Sequence, residues 1–295
     1  MPETTTAPLI AVDAPSLLYR AFFALPDTIT APDGAAVNAL LGTANLVLQA
    51  VERHGARAVV FCFGAEAAAY RVAALPAYHA DRPPMPPELA AQFAAAPGFF
   101  GAFGWPSLNH EELEADDLLG SLARVEREAG GRALLFTGDR DMFQCVGEQV
   151  SVLYPAGRGK DGPELVDVAD VKRRYGIRPE QVPDFIALRG DPSDGIPGAK
   201  GIGEKTARDL LVDHDTLEGA IAAALRQRPR VAAALRDDAD QLRAFREIAT
   251  LQEVDLDRPA DGPTDFPGAA AAARALGMQR LATRLEAMEK ATARG

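Results

Sequence analysis

The chain is poor in cysteine, lysine and long apolar runs, and each scarcity narrows what it can be. Cys62 and Cys145 are its only cysteines, and they form no CxxC pair. A reduced, cytoplasmic protein is the simplest reading. No apolar stretch approaches the roughly 20 residues that cross a bilayer, so no membrane association is expected. The start, MPETTTAPLI, has no basic n-region, and no secretory signal is expected. There is no GxxxxGK[ST] loop and no GxGxxG after a strand, which excludes a Walker A site and a dinucleotide fingerprint. Surplus positive charge is also missing: 42 acidic residues against 31 basic give −11. That balance argues against nucleic acid unless acids gather round metal ions or bases concentrate on one face. The basic residues are mostly Arg, and with the high Ala content this reads as genome composition, pointing to a GC-rich bacterium.

With 295 residues, 47% of them hydrophobic and 25% charged, the chain has room for one large α/β domain and a smaller helical one. Apolar runs at 9–12, 58–63 (AVVFCF), 133–137 (ALLFT) and 150–153 read as buried strands. Helical periodicity over 35–53 and between the other strands predicts an α/β fold with a parallel sheet covered on both faces. Residues 65–96, rich in Ala and Pro, are too long for a plain connection. Beyond 176 the stretches 179–189, 204–212 and 238–250 read as helices. The proline-bearing segment 258–267 reads as a linker before short Ala-rich helices.

The chemistry-bearing pattern is acidic. Asp13 follows the first strand, and Asp139 and Asp141, in TGDRD, follow the third. Open parallel sheets place their sites at the carboxyl ends of strands. Glu114, Asp116 and Asp117, in ELEADDLLGSLA, open a helix; Asp191 and Asp194 lie in RGDPSDGIPG. Any one acid is as readily a cap or a turn residue. Eight in one cleft would repel strongly, by about 4 kcal/mol per pair at about 4 Å and an effective dielectric of about 20. Hard divalent cations relieve this: Mg²⁺ and Mn²⁺ take oxygen ligands, and two such ions can drive phosphodiester cleavage.

A second pattern is glycine-rich. In RGDPSDGIPGAKGIGEKTARDLL, Gly198, Gly201 and Gly203 lie between two helices, with Lys200, Lys205 and Arg208 close by. Such a turn presents backbone N–H groups to phosphate; alone it equally suits a tight helix–helix turn with glycine caps.

Taken together, VDAPSLLYRAFFAL, YHADRPPMPPEL, LEADDLLGSLA, TGDRDMFQ and ALRGDPSDGIPGAKGIGEKTA resemble, in order, the 5′-nuclease family that includes flap endonucleases and the N-terminal domain of bacterial DNA polymerase I. The similarity covers most of residues 8–255. It implies a PIN-like parallel-sheet nuclease domain over 1–175 with a helical arch at about 65–96. A helix–three-turn–helix, helix-hairpin-helix-like DNA-binding domain over 176–258 follows, then a linker and short helices over 259–295. It implies Asp13, Glu114, Asp116, Asp117, Asp139, Asp141, Asp191 and Asp194 as metal acids for two or more Mg²⁺ or Mn²⁺ ions. Arg20, Arg71 and Arg82 become phosphate-binding residues. Tyr78 and His79 stand in the arch, Tyr78 either stacking on a base or serving as an arch-core aromatic. The hairpin, with Gly198, Lys200, Gly201, Gly203, Lys205, Thr206 and Arg208, would hold duplex DNA, with a monovalent cation such as K⁺ as a further ligand. The activity implied is 5′-3′ exonuclease and 5′-flap cleavage of DNA in replication and repair, by a monomer working with a polymerase and a ligase.

Three positions depart from the family pattern. Gly64 stands where an Asp is usual, His79 where Lys is usual, and Gly195 where Asn is usual. Eight of the nine acids remain, so activity is expected to persist, with Mn²⁺ serving better than Mg²⁺. The readings in competition are a catalytically impaired DNA-junction binder of the same fold, a PIN-like ribonuclease, and a small-molecule enzyme on a Rossmann-like sheet.

Overall fold

The computed structural model describes residues 7–155 and 162–292. Six strands, β1 (Leu9–Asp13), β2 (Ala58–Phe63), β3 (Ser107–Asn109), β4 (Ala133–Phe136), β5 (Val150–Tyr154) and β6 (Glu164–Val166), form one sheet in the order β3-β2-β1-β4-β5-β6. The first five run parallel, and β6 pairs antiparallel with β5. The chain steps outward from β1 to β3 and returns to lay β4 on the other side of β1. The strand order therefore reverses between β1 and β4, and a crevice opens beyond their carboxyl ends.

Side chains alternate across β1, and each face meets its own core. Leu9 and Ala11 face a cluster with Val60, Leu135, Leu118 and Leu122, which runs on into Phe185, Leu210 and Phe245. Ile10 and Val12 face Phe61, Leu17, Val47, Phe100 and Trp105, with Ala273 and Leu285. Helices α1 (Ala14–Ala24), α2 (Asn38–His54) and α4 (Pro87–Gly101) supply the second face; α5 (Ala115–Glu128) supplies the first. Between β2 and α4 lies only the short helix α3 (Ala69–Ala74).

The expected arch is therefore shorter than 65–96. Leu89, Gln92, Ala96, Phe99 and Phe100 of α4 are buried, because that half of the segment carries enough apolar surface to join the core. Only residues 64–86 remain over the cleft. The three-residue strands β3 and β6 are additions to the four expected.

After α6 (Val168–Tyr175) come α7 (Val182–Arg189), α8 (Glu204–His214), α9 (Leu217–Ala222), α10 (Pro229–Asp237) and α11 (Ala239–Ala249). Of these, α9 and α10 carry no clear sequence signal. The last two helices, α12 (Phe266–Ala275) and α13 (Gln279–Thr292), fold back on the second face.

The stretch expected to be a linker, 258–267, has no regular structure as far as Asp265, α12 taking its last two residues, yet it is strapped down. Gly262 N–H bonds Arg57 C=O at 2.8 Å, Asp265 N–H bonds Phe103 C=O at 2.9 Å, and Trp105 Nε1 donates to Thr264 Oγ1 at 3.1 Å. Arg57 reaches Pro259 C=O at 2.8 Å and pairs with Glu126, which also accepts from Arg258 at 2.8 Å. The Glu126 side chain is 1% exposed. Removing it leaves the buried Arg57 guanidinium with only the exposed Asp261 carboxylate, at 2.8 Å, to balance it. Glu126→Ala is expected to cost about 3 kcal/mol in urea unfolding; a loss below about 1 kcal/mol, the size of a surface pair, would contradict this.

Candidate active site

Asp13 ends β1 and caps α1. Its carboxylate accepts from Ser16 N–H at 2.9 Å and from the Thr137 hydroxyl at 2.6 Å. Thr137, just past β4, accepts in turn from Asp139 N–H at 2.9 Å, while Gly138 N–H bonds Ser16 Oγ at 2.9 Å. Asp139 Oδ1 then accepts from Asp141 N–H at 2.8 Å. Thr137 and Ser16 thus stitch the two strand ends together and aim the acids. They were not singled out in the sequence, although Thr137 stands in TGDRD itself.

The electrostatics show which acids share a space. Burial lifts Asp13 to about 6, against the Thr137 and Ser16 hydrogen bonds and with help from Glu114. Asp139 is also lifted to about 6 by burial, with Asp194, Asp13 and Asp191 adding repulsion. Asp116 rises well above the carboxylate range through burial and then the charges of Asp139 and Asp13. Asp141 does so through burial and then Asp139, Asp194 and Asp191. Asp13, Asp116, Asp139, Asp141, Asp191 and Asp194 are therefore one interacting group, brought from β1, α5, the turn after β4 and the loop after α7.

Glu114, which still repels Asp13 and Asp116, and Asp117 are tied to a cation of their own. The buried Arg71 guanidinium pairs with Glu114 at 2.9 Å and Asp117 at 3.1 Å, and donates to Ile248 C=O of α11 at 3.1 Å. Glu114 also accepts from Ala68 N–H at 2.8 Å and from the Tyr78 hydroxyl at 3.1 Å. Asp117 accepts from Gln252 N–H at 2.8 Å and Glu114 N–H at 3.2 Å, and the Tyr70 hydroxyl donates to it at 3.3 Å. Neighbours on a helix differ by about 100° in direction. Asp116 faces the acid group, and Asp117 turns inward.

This corrects two expectations and decides between the two readings of a third residue. Asp117 is occupied as a buried ion-pair partner. Arg71 is enclosed between carboxylates and not presented to phosphate. Tyr78, 5% exposed and bonded through its hydroxyl, is the arch-core aromatic and not a stacking platform.

His79 has a left-handed backbone (φ 55°). Its ring bridges Asp194 Oδ1 and Glu66 C=O, each at 3.0 Å. Arg82, half-exposed, reaches Asp194 Oδ1 at 3.2 Å. Arg20 is exposed on α1. A Cβ on Gly195 would stand 2.7 Å from Ala77 C=O, and one on Gly64 2.4 Å from Leu113 C=O and 2.6 Å from Ala115 N. No side chain fits at 64 without moving the Glu114 backbone, so Gly64→Asp would not restore an acid cleanly.

In the glycine hairpin, Gly198 has φ 70° and its Cβ position lies 2.3 Å from Gly190 N, so the crossing of the two turns requires glycine. Gly203 caps α8; Lys200, Gly201, Gly203 and Lys205 are exposed, and Thr206 is half-buried. Arg208 lies against Gly176 and pairs with Asp209 at 2.8 Å.

The acid group offers only oxygen donors and repels itself, which fits hard divalent cations. Among the described residues no three His, Cys, Asp or Glu side chains already converge on one ion position. The fit is one of donor chemistry and charge, not of a preformed cage.

A reversing parallel sheet with acids at its switch point, followed by a glycine hairpin between helices, defines a metal-dependent nuclease fold. Residues 8–176 match the 5′-3′ exonuclease N-terminal resolvase-like domain, and 177–263 match the 5′-3′ exonuclease C-terminal SAM fold. The chain belongs to the 5′-3′ exonuclease family. It is 37% identical over 254 residues to the thermostable DNA polymerase I of Thermus thermophilus, covering 84% of this chain and 30% of that protein. It is 34% identical over 255 residues to DNA polymerase I of Mycobacterium bovis, covering 86% of this chain and 28% of that one. The chain thus spans about 30% of these relatives' length. The fold resembles the T5 D15 flap endonuclease solved with DNA and metal ions (TM-score 0.68, 17% identity, 94% of this chain and 96% of that one). It also resembles the catalytic core of Rad2 with a DNA substrate (TM-score 0.62, 15% identity, 96% and 92%).

Raised carboxylates give the metal-free protein a definite pH response. Asp13 and Asp139 bind protons in the folded state up to about 6, but unfolded only to 3.8. The folded state holds more protons between these values, so stability falls as pH rises through that window. With EDTA present, Asp13→Asn combined with Asp139→Asn is expected to raise stability at pH 7 by about 1–3 kcal/mol and by little at pH 4. A variant less stable than the parent at pH 7 would contradict this.

Proposed function

We propose that this chain hydrolyses DNA phosphodiester bonds at 5′ ends and 5′ flaps, in replication and repair. The observation that carries it is the convergence of Asp13, Asp116, Asp139, Asp141, Asp191 and Asp194 beyond β1 and β4, in a chain that also carries the phosphate-suited hairpin. Residues 1–175 carry most of the chemistry, 176–258 hold the duplex and lend Asp191 and Asp194 to the acid group, and the described helices of 259–295 brace the far face of the sheet.

Two or more Mg²⁺ or Mn²⁺ ions, when bound by these acids, supply Lewis acidity and an activated water for in-line attack on phosphorus. The six grouped aspartates hold them, and Thr137 and Ser16 fix the direction of Asp13 and Asp139. Glu114 adds charge beside Asp13, with its carboxylate steadied by Arg71. Gly198, Gly201 and Gly203 offer N–H groups to the duplex backbone, flanked by Lys200, Lys205, Thr206 and Arg208; a K⁺ ion is a suitable companion there. Contacts of this kind position a duplex without reading its bases. Arg20, Arg82 and His79 guide the 5′ strand past residues 64–86. Arg82 and His79 leave Asp194 when the strand enters, because each now bonds that carboxylate. The chain acts as a monomer in the cytoplasm, and a polymerase and a ligase complete the repair.

A 5′-flap duplex labelled at the flap is expected to yield short products with Mn²⁺ and, at higher metal concentration, with Mg²⁺. Asp139→Ala should lower kcat by at least about 100-fold, on the scale of losing one electrostatic stabiliser of the transition state. Lys205→Gln should raise KM with little change in kcat. Intact DNA in both metals, with binding retained, would replace this reading with that of a junction-binding protein. Equal cleavage of a matching RNA would replace it with a ribonuclease.

A further inference from the structure

The segment between α9 and α10 carries a row of cations beside the glycine hairpin. Its sequence, Leu225-Arg226-Gln227-Arg228-Pro229-Arg230, spans the end of a 3₁₀ turn and the start of α10. Two contacts fix where it lies. Gln227 Nε2 stands 2.9 Å from His214 Nε2, at the C-terminal end of α8. Arg230 lies over Gly201 at the other end: a Cβ on Gly201 would fall 2.4 Å from its Nε and 2.8 Å from its Cζ. The segment therefore runs alongside α8, back to the hairpin.

Arg226, Arg228 and Arg230 are all exposed, as are Lys200 and Lys205. Among the described residues none of these five has a carboxylate partner, whereas Arg243, Arg246 and Arg208 in the same helical region are paired. Exposed acids do stand on α8, at Glu204 and Asp213, but neither is bonded to the row. Three unneutralised guanidinium groups within five residues make a local positive patch on a chain of net charge −11, suited to a partner of opposite sign. Guanidinium groups bind phosphate in a planar fork. The segment has no exposed aromatic on which single-stranded bases would stack; Leu225, 80% exposed, is its only large apolar side chain.

We propose that Arg226, Arg228 and Arg230 form a second phosphate-binding row, continuous with the glycine hairpin through Gly201, that grips the backbone of duplex DNA beyond the junction. The proposal rests on the DNA-cleaving reading above. The row lengthens the duplex footprint and leaves the acid group untouched, so it governs affinity and its salt dependence and not the chemical step. Gly201 belongs to it for a steric reason, since any side chain there would displace Arg230.

The test is fluorescence anisotropy of the full chain on flap duplexes of increasing arm length, with Ca²⁺ replacing Mg²⁺ and salt varied. Wild type is compared with Arg226→Gln/Arg228→Gln/Arg230→Gln, with Lys200→Gln/Lys205→Gln, and with Arg280→Gln on α13 as a charge control. Each phosphate left without its cation lowers the slope of log K against log salt by about 0.9. The triple variant is therefore expected to lose up to about 2.7 from the slope, which is about 40-fold less sensitivity between 50 and 200 mM salt. The loss should grow with arm length and be absent on the shortest arm, while kcat on a short-arm flap stays at the wild-type value. A slope equal to wild type on every arm, with Lys200→Gln/Lys205→Gln still lowering it, overturns the row and leaves the nuclease reading standing. The same loss in Arg280→Gln overturns it as a general charge effect. A wild type that neither binds the duplex nor cleaves it with Mg²⁺ overturns both readings.

Discussion

Mutual repulsion among buried carboxylates is the constraint on which the rest of this structure depends. Asp13, Asp116, Asp139 and Asp141 are each pushed upward by burial and by neighbouring carboxylates, Glu114 in the case of Asp13. Such a group survives only where the scaffold is rigid. The parallel strands β1 and β4, locked by two apolar faces, supply the rigidity, and the Thr137 hydroxyl and Ser16 N–H hold the Asp13 carboxylate by direct hydrogen bonds. Arg71 does the rest by pairing with Glu114 and Asp117 and offsetting part of their charge, and its bond to Ile248 C=O ties α11 to the acid cleft. The helices after β6 and the cleft are thereby mechanically joined.

The three departures from the family pattern lie along a single seam. Gly64 allows the chain leaving β2 to press against residues 113–115. His79 joins Glu66 on that chain to Asp194 on the acid loop, and Gly195 admits the Ala77 carbonyl beside it. A smaller residue at two positions and an aromatic ring at the third fit a close approach of residues 64–86 to the acid loop. The changes belong together sterically, so reverting one alone leaves the other contacts in its way.

The sheet was legible where its strands are long apolar runs: all four expected strands are present. The two missed strands, SLN and ELV, have three residues each and take their conformation from a neighbour. Helix α9 has only six residues, too few to show a period, and α10, though amphipathic, spans only nine. The acids were legible as a set because they sit at strand ends and a helix start. What spacing could not give was direction. Asp116 and Asp117 are adjacent in sequence, yet one meets Asp139 and the other Arg71. Arg71 and Tyr78 read equally well as surface ligands until packing enclosed them. The cation row at 226–230 was invisible for the same reason, since its place beside Gly201 depends on how α10 folds back along α8.

The central claim is that divalent ions relieve a repulsion now held partly by protons. Mn²⁺ titration by calorimetry tests it most directly, in two buffers of different ionisation enthalpy. Binding should release protons at pH 6, where Asp13 and Asp139 are half-protonated, and fewer at pH 8, where those two are ionised. Identical heats in the two buffers at pH 6, with Mn²⁺ bound, would mean that the acids are already ionised and that their repulsion is not what the metal relieves.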